Sequence, residues 1–469
     1  MYTVLKEDLE RLDTLLNKVQ KESVGYLNRL AEEPTNKPTP QPANLMLPDS
    51  GIGLERTLHQ FNTEHSDKLV ASAGPRYLGF VTGGATPAAI AGDWLTSVYD
   101  QNTQSTVGPG GTSGMVEKET ISMLLQLLHL PEAFDGGFVT GATMANFTCL
   151  AVARQWAGQQ KGNDIAREGI RTDIKILTAT PHSSAIKSLS MLGLGSNNII
   201  EVKTAARNRE AIDLEDLERK LIEFNNQPKI VISSGGTVNS VDFDDMKGLA
   251  ALHKKYRFFW HIDAAFGGFA ACSDLYRHLL NGWEEADSIA IDCHKWMNIP
   301  YDSAVYLVRS NHSALQLQTF QNSNAPYLGD PTKNFTYLNF GPENSRRFRA
   351  LPVWFSLTAY GRRGFAWIVE NNITLAKGLG ERIEKETAFE LAAPVRLNVV
   401  CFTTKIDRNR KEKLDAVLKQ LNERGKVFMT PTLYKNIYCI RAALVNWRTT
   451  QVDIDIVINE LISIETGIQ

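Results

Sequence analysis

Five short runs rich in β-branched and aromatic residues, at 174–179, 230–233, 258–262, 288–291 and 304–308, constrain this chain more than any other feature of it. Several are separated by helix-like segments such as 214–225 and 245–255. Strands that are apolar almost throughout, joined through helices, describe a mainly parallel sheet covered by helices. The expectation is an α/β fold with one large domain over residues 51–345. After Arg346 the texture changes. Helical stretches at 351–369 and 373–386 precede strand-like runs at 399–403 and 436–442 and a closing helix at 452–464, which predicts a smaller α+β domain over 346–469. The 469 residues suffice for both.

Residues 1–50 read differently. From 4 to 31 the apolar residues Leu5, Leu9, Leu12, Leu16, Val19 and Val24 recur at helical steps among Lys and Glu, as in an amphipathic helix. Pro34, Pro38, Pro40, Pro42 and Pro48 then enforce an extended arm. Such a helix packs either on its own domain or across a subunit boundary. Fifty Lys and Arg against 52 Asp and Glu leave a formal charge of -2, so nothing draws the molecule as a whole to nucleic acid or anionic lipid. No apolar stretch approaches a membrane span, and the start of the chain carries no signal-like segment. The five cysteines, Cys149, Cys272, Cys293, Cys401 and Cys439, are odd in number and form no CxxC pair. They read as buried thiols in a reducing compartment, with no metal site, and the expected location is the cytoplasm.

Ligands of open α/β sheets sit beyond the carboxyl ends of the strands. Those ends carry His182 with Ser183 and Ser184, Gly235-Gly236-Thr237, Asp263-Ala264-Ala265, and Cys293-His294-Lys295-Trp296. Lys295, between an imidazole and an indole, is placed where desolvation frees an amine for Schiff-base formation. Asp263 ends an apolar run and is costly to bury unless it meets a cation, which a protonated pyridinium supplies. Thr140-Gly141-Ala142-Thr143-Met144-Ala145-Asn146 is a small-residue turn entering a helical pattern, a ready site for a phosphate. No GxGxxG follows an early strand, which disfavours a nicotinamide cofactor.

The segment from His261 to Gly268, with His278-Leu279-Leu280-Asn281-Gly282 and Asp287 through Trp296, closely resembles the group II pyridoxal-phosphate-dependent amino acid decarboxylases. That family includes the aromatic amino acid, histidine and glutamate decarboxylases. The likeness extends to Pro75-Arg76-Tyr77, Asp93-Trp94-Leu95, the 140–146 turn, His182-Ser183-Ser184 and the run from Ser345 to Leu351, in the family's order over about residues 50 to 469. The resemblance implies a fold type I enzyme that binds pyridoxal 5'-phosphate and decarboxylates an L-amino acid to the amine. It implies that Lys295 holds the cofactor as a Schiff base with His294 beside the phosphate, that Asp263 pairs with the ring nitrogen, and that Ala265 and His182 pack on opposite ring faces, His182 also passing protons. Ala142, Thr143 and Asn146 match the cofactor cradle, and Thr237 a position near the ring hydroxyl. Arg441 matches the carboxylate-binding arginine, and Arg346, Arg347 and Arg349 read as a structural junction. A homodimer with its active site near the interface is also implied.

Substrate choice is open on the sequence. The family selects side chains around residues 75–84, where Pro75 and Tyr77 are the candidates here, and aromatic, acidic and diamino acids all remain open. The Asn-, Gly- and Pro-rich segment 322–339 predicts a long loop acting as a lid. Tyr337, nine residues before Arg346, has the family spacing of the tyrosine that returns a proton to the reacting carbon, with Tyr327 as the alternative. Without such a phenol the product shifts from amine to aldehyde. An aldehyde-forming member of the fold is therefore the competing enzyme, and a non-catalytic scaffold the competing class, although Lys295, Asp263 and His182 are all present.

Overall fold

The computed structural model describes residues 1–39, 41, 46–108, 110–321, 335–405 and 408–468. Its centre is a seven-stranded sheet of β1 (Phe134–Val139), β2 (Lys175–Thr178), β3 (Ile199–Glu201), β4 (Lys229–Ser234), β5 (Phe259–Asp263), β6 (Ser288–Ile291) and β7 (Ala304–Arg309), in the spatial order β1-β7-β6-β5-β4-β2-β3. From β6 through β5, β4 and β2 to β3 the pairs are parallel, while β7 runs antiparallel to both β6 and β1. All five strands read from the sequence are present. Two more are not legible there: β1, whose Phe-Asp-Gly-Gly-Phe-Val carries weak strand formers, and β3, an edge strand of three residues.

Buried Val, Ile and Leu from β2, β4, β5, β6 and β7 divide between two apolar cores, one on each face of the sheet. The helix Ala142–Gln159 covers one face and the helix Thr112–Leu127 lies on the other. Register matters for the site. Ser234 pairs with Asp263, and Asp263 with Ala290, so the carboxyl ends of the central strands finish in line.

A second sheet holds β8 (Phe389–Leu391), β9 (Val399–Thr404), β10 (Thr430–Tyr434) and β11 (Ile437–Ala443) in the order β10-β11-β9-β8, antiparallel throughout. The helices Arg410–Arg424 and Gln451–Ile468 pack on it. The helical run Ala350–Glu386 connects the two cores: its residues through Ile373 join the core of the large sheet, and Leu375 to Ile383 that of the small one. It is interrupted at Gly361, whose φ of 56° favours glycine.

The N-terminal helix is two helices, Thr3–Glu10 and Leu12–Arg29. The Asp8 carboxylate caps the helix Leu54–Glu64 by accepting from the Leu54 amide, and Arg11 and Lys18 pair with Glu55. Of these two helices only Leu15 is buried, while Leu5, Leu9, Leu12 and Leu16 lie exposed. The start of the arm is tied to its own chain, Thr35 and Asn36 bonding to Gly425 and Asn422; Pro40 and Pro42 lie outside the described residues. All five cysteines are unpaired and buried. Among the described residues no helix is long and apolar enough to cross a membrane.

Candidate active site

Beyond the ends of β2, β4 and β5 opens a crevice of about 620 Å³, a volume typical of a small-molecule site. Lys295, Asp263, His182, Thr237, Ala265 and Arg441, all singled out in the sequence, line it together. Lys295 sits in the turn after β6, and a Cβ on Gly83 would collide with its carbonyl, so glycine allows the 81–84 segment to lie against the lysine. The partner of Lys295 is not Asp263 across the crevice. Its Nζ lies 2.6 Å from Asp292 Oδ2, three residues earlier in the same turn. The other Asp292 oxygen is buried without a hydrogen bond, 3.5 Å from His294 Nε2. Asp292 is a site residue that sequence reasoning misses, although its i, i+3 spacing to Lys295 is a visible signal.

Asp263 is 8% exposed and takes hydrogen bonds from Asn146 Nδ2 at 3.0 Å and the Ala265 amide at 3.2 Å. Among the described residues no cation pairs with it. A buried carboxylate in that position suits a cationic ring nitrogen. His182 caps the helix Ser183–Met191, its Nδ1 facing Ser184 and the rest of the ring open to the crevice. Desolvation holds its pKa below the usual histidine value, Lys295 and Arg441 pushing the same way against the pull of Asp263 and Asp292. Thr237 donates to Glu210 Oε2 at 2.6 Å, and Ser240 donates to the same oxygen at 2.5 Å. Glu210, which also lines the crevice, is a second residue that the sequence does not announce.

The helix Ala142–Gln159 starts from Gly141 with no side-chain cap, leaving the first-turn amides near Ala142 and Thr143 for an anion. Gly141 faces His294, whose ring stacks on Tyr301 at 4.3 Å. Burial lowers the His294 pKa, with Lys295 adding to it. Opposite, on β11, Arg441 is 8% exposed and among the described residues donates only to carbonyls, Phe80 O at 3.1 Å and Val238 O at 3.4 Å. Its Nε is buried without a partner, and burial lowers its pKa.

Residues 55–405 match the family described as the pyridoxal-dependent decarboxylase conserved domain. The chain belongs to that family. An aromatic-L-amino-acid decarboxylase from Bacillus atrophaeus is 29% identical over 420 residues, spanning 86% of this chain and 84% of that protein. Tyrosine decarboxylase 4 from Petroselinum crispum is 26% identical over 446 residues, 90% and 83% of the two chains. In fold the chain is similar to Oryza sativa TDC solved with PLP and tryptamine, with a TM-score of 0.88 at 20% identity over 98% of each chain.

The cofactor of this decarboxylase is pyridoxal phosphate, and the residues present fit it: an amine at Lys295, a carboxylate without a cation at Asp263, and an uncapped helix start at Ala142 and Thr143. When bound, pyridoxal phosphate supplies the electron sink that carbon–carboxylate cleavage needs. Three residues expected at the site of this decarboxylase lie outside the crevice. Pro75 and Tyr77 do not line the crevice: Pro75 is buried, its carbonyl bonded to Thr449, and the Tyr77 ring stacks on Phe428 at 4.5 Å. Phe80, Val81 and Thr82 of the same segment line it instead. Residues 322–334 of the expected lid lie outside the described residues, and Tyr337 comes after them. It starts the short helix Tyr337–Phe340, is 1% exposed, and lays its ring over the Arg346 guanidinium at 4.4 Å. Arg346 is itself buried in a bidentate pair with Glu117, as a structural junction requires. Tyr327 lies outside the described residues.

Proposed function

We propose that the substrate of this decarboxylase is an aromatic L-amino acid, released as its amine. One observation carries the reading: Arg441 is a buried guanidinium that among the described residues meets only neutral carbonyls, in a wall shared with Phe80, Phe266 and Tyr301. A carboxylate would complete the arginine while a planar side chain lies against the rings. Lys295 is the point of covalent attachment, Asp263 the partner of the ring nitrogen, and Ala265 and His182 the groups on either face of the ring. His294, Ala142 and Thr143 hold the phosphate end. A panel of amino acids assayed for carbon dioxide and amine tests this. Turnover confined to acidic or diamino acids would overturn it.

The burial of Tyr337 favours a second reading of the product. With that phenol packed on Arg346, the proton for the carbon that loses carboxylate comes from elsewhere, and oxygen can compete for that carbon to yield an aldehyde. Peroxide and ammonia measured beside the amine separate the two outcomes, and Tyr327→Phe compared with Tyr337→Phe identifies the loop donor.

The exposed leucines of the helices Thr3–Glu10 and Leu12–Arg29 support a homodimer in which that apolar face is covered by the second subunit. Light scattering of a chain lacking residues 1–48 tests it, with dimerisation weakened. The unpaired thiols suit a reducing, cytoplasmic setting.

A further inference from the structure

Beneath the crevice floor, four side chains that the decarboxylase reading leaves without a common role form one hydrogen-bonded chain. His261 Nε2 lies 2.8 Å from Asn146 Oδ1, and His261 Nδ1 lies 2.9 Å from Ser288 Oγ. Asn146 Nδ2 reaches both Asp263 Oδ2, at 3.0 Å, and Ser184 Oγ, at 3.1 Å. Ser184 Oγ is 2.8 Å from His182 Nδ1, and the Ser184 amide donates to the same nitrogen at 3.2 Å. Asn146 and His261 are wholly buried and Ser184 nearly so.

Proton counting leaves one arrangement. Burial drives the His261 pKa down to about 4, so at neutral pH its ring carries one proton. Were Asn146 flipped, its oxygen would face the Asp263 carboxylate, acceptor against acceptor. The amide oxygen therefore faces His261, which must donate from Nε2 and accept from Ser288 at Nδ1. Both amide hydrogens of Asn146 are then committed, one to Asp263 and one to Ser184. The Ser184 amide donates to His182 Nδ1, which makes that nitrogen an acceptor, so the Ser184 hydroxyl, itself accepting from Asn146, turns its single hydrogen to the same nitrogen. His182 Nδ1 can hold no proton.

We infer that Ser184 and Asn146 are positioning residues that fix His182 in the Nε2–H tautomer, with its only proton on the nitrogen free of Ser184, and so tie the state of that proton to the Asp263 carboxylate. Only the role of that proton rests on the decarboxylase reading, as delivery to the reacting carbon or support of the donor that delivers it. Asn146, matched to the cofactor cradle, bonds to Asp263, His261 and Ser184.

The test is nitrogen NMR of the full-length protein labelled with 15N-histidine, the His182 signals assigned by their loss in His182→Gln. The expected wild-type pattern is a protonated Nε2 and an unprotonated Nδ1. In Ser184→Ala the hydroxyl donor is gone and a mixture of tautomers should appear, with kcat down roughly 10- to 100-fold and KM within about twofold. Ser184→Thr, which keeps the hydroxyl, should restore both readings. A wild-type His182 protonated on Nδ1 would overturn the inference without any variant, as would an unchanged nitrogen pattern in Ser184→Ala. An Nε2–H His182 in a chain that decarboxylates no amino acid would uphold it while removing the substrate reading.

Discussion

On the floor of the crevice, Asp263, Asn146, His261, Ser184 and His182 hold one another through hydrogen bonds of their own, on β5 and on the opening turns of two helices. On the wall opposite, Phe80 and Tyr301 stand 56% and 60% exposed, and Arg441 reaches only two carbonyl oxygens. The floor comes from the units of β1, β2 and β5 in one sheet, whose register already places Ser234, Asp263 and Ala290 side by side. The wall is assembled from three places far apart in sequence: the 80–82 segment, the turn at Tyr301, and β11 of the second sheet. A network fixed by the fold suits chemistry shared by a whole family. A wall of separate, partly open pieces suits a substrate choice that changes between members.

Substitutions should separate the two surfaces, the floor acting on kcat and the wall on KM. The largest effect belongs to Lys295→Ala, which should bring turnover to background and leave borohydride unable to fix pyridoxal phosphate to the protein. Borohydride-stable attachment in that variant would remove Lys295 as the nucleophile. Next, Asp263→Asn should cost roughly 3 to 5 kcal/mol, about 150- to 5,000-fold in kcat, because a buried cation loses its counter-charge. Wild-type kcat there would mean that the floor does not control the ring. Arg441→Gln should cost less, roughly 1.5 to 3 kcal/mol in kcat/KM, carried mainly by KM. If kcat fell instead, Arg441 would belong functionally with the floor.

The same contrast explains what could be read from the sequence. Lys295, Asp263 and His182 each follow a strand marked by an apolar run, so strand, strand end and chemistry are legible together. Arg441 is placed by resemblance, and the geometry gives it a physical reason, a buried guanidinium without a carboxylate. Asp292 directly follows the recognised strand at 288–291 and escapes because the histidine and lysine beside it carry the more evident chemistry, whereas Glu210 belongs to the segment after β3, a strand too short to detect. Tyr77 and Tyr337 stand out by spacing alone. Spacing does not report that one ring is taken by Phe428 and the other by Arg346.

The smallest expected effect reads the floor through stability. His261 ordinarily titrates near 6.5, and burial lowers its pKa in the folded chain to about 4. Below pH 6.5 the unfolded chain binds a proton there that the folded chain refuses, so stability falls as pH falls, and it stops falling near pH 4. The loss is about 1 kcal/mol between pH 6.5 and 5.5 and approaches about 3 kcal/mol by pH 4. Asp244, which burial pushes up to about 7, works with the opposite sign across the same range, because its folded form prefers the proton. The quantity to measure is therefore the difference in urea-unfolding free energy between wild type and His261→Gln as a function of pH. That difference should shrink as the pH drops from 7 to 5, since only the wild type bears the cost of keeping His261 neutral. A pH-independent difference would mean that His261 takes up its proton as readily in the folded floor as in the unfolded chain and is charged there at pH 5. Its Nδ1 would then donate towards Ser288 while its Nε2 still donated to Asn146, so Asn146 would keep its orientation and the floor would change only at its Ser288 end.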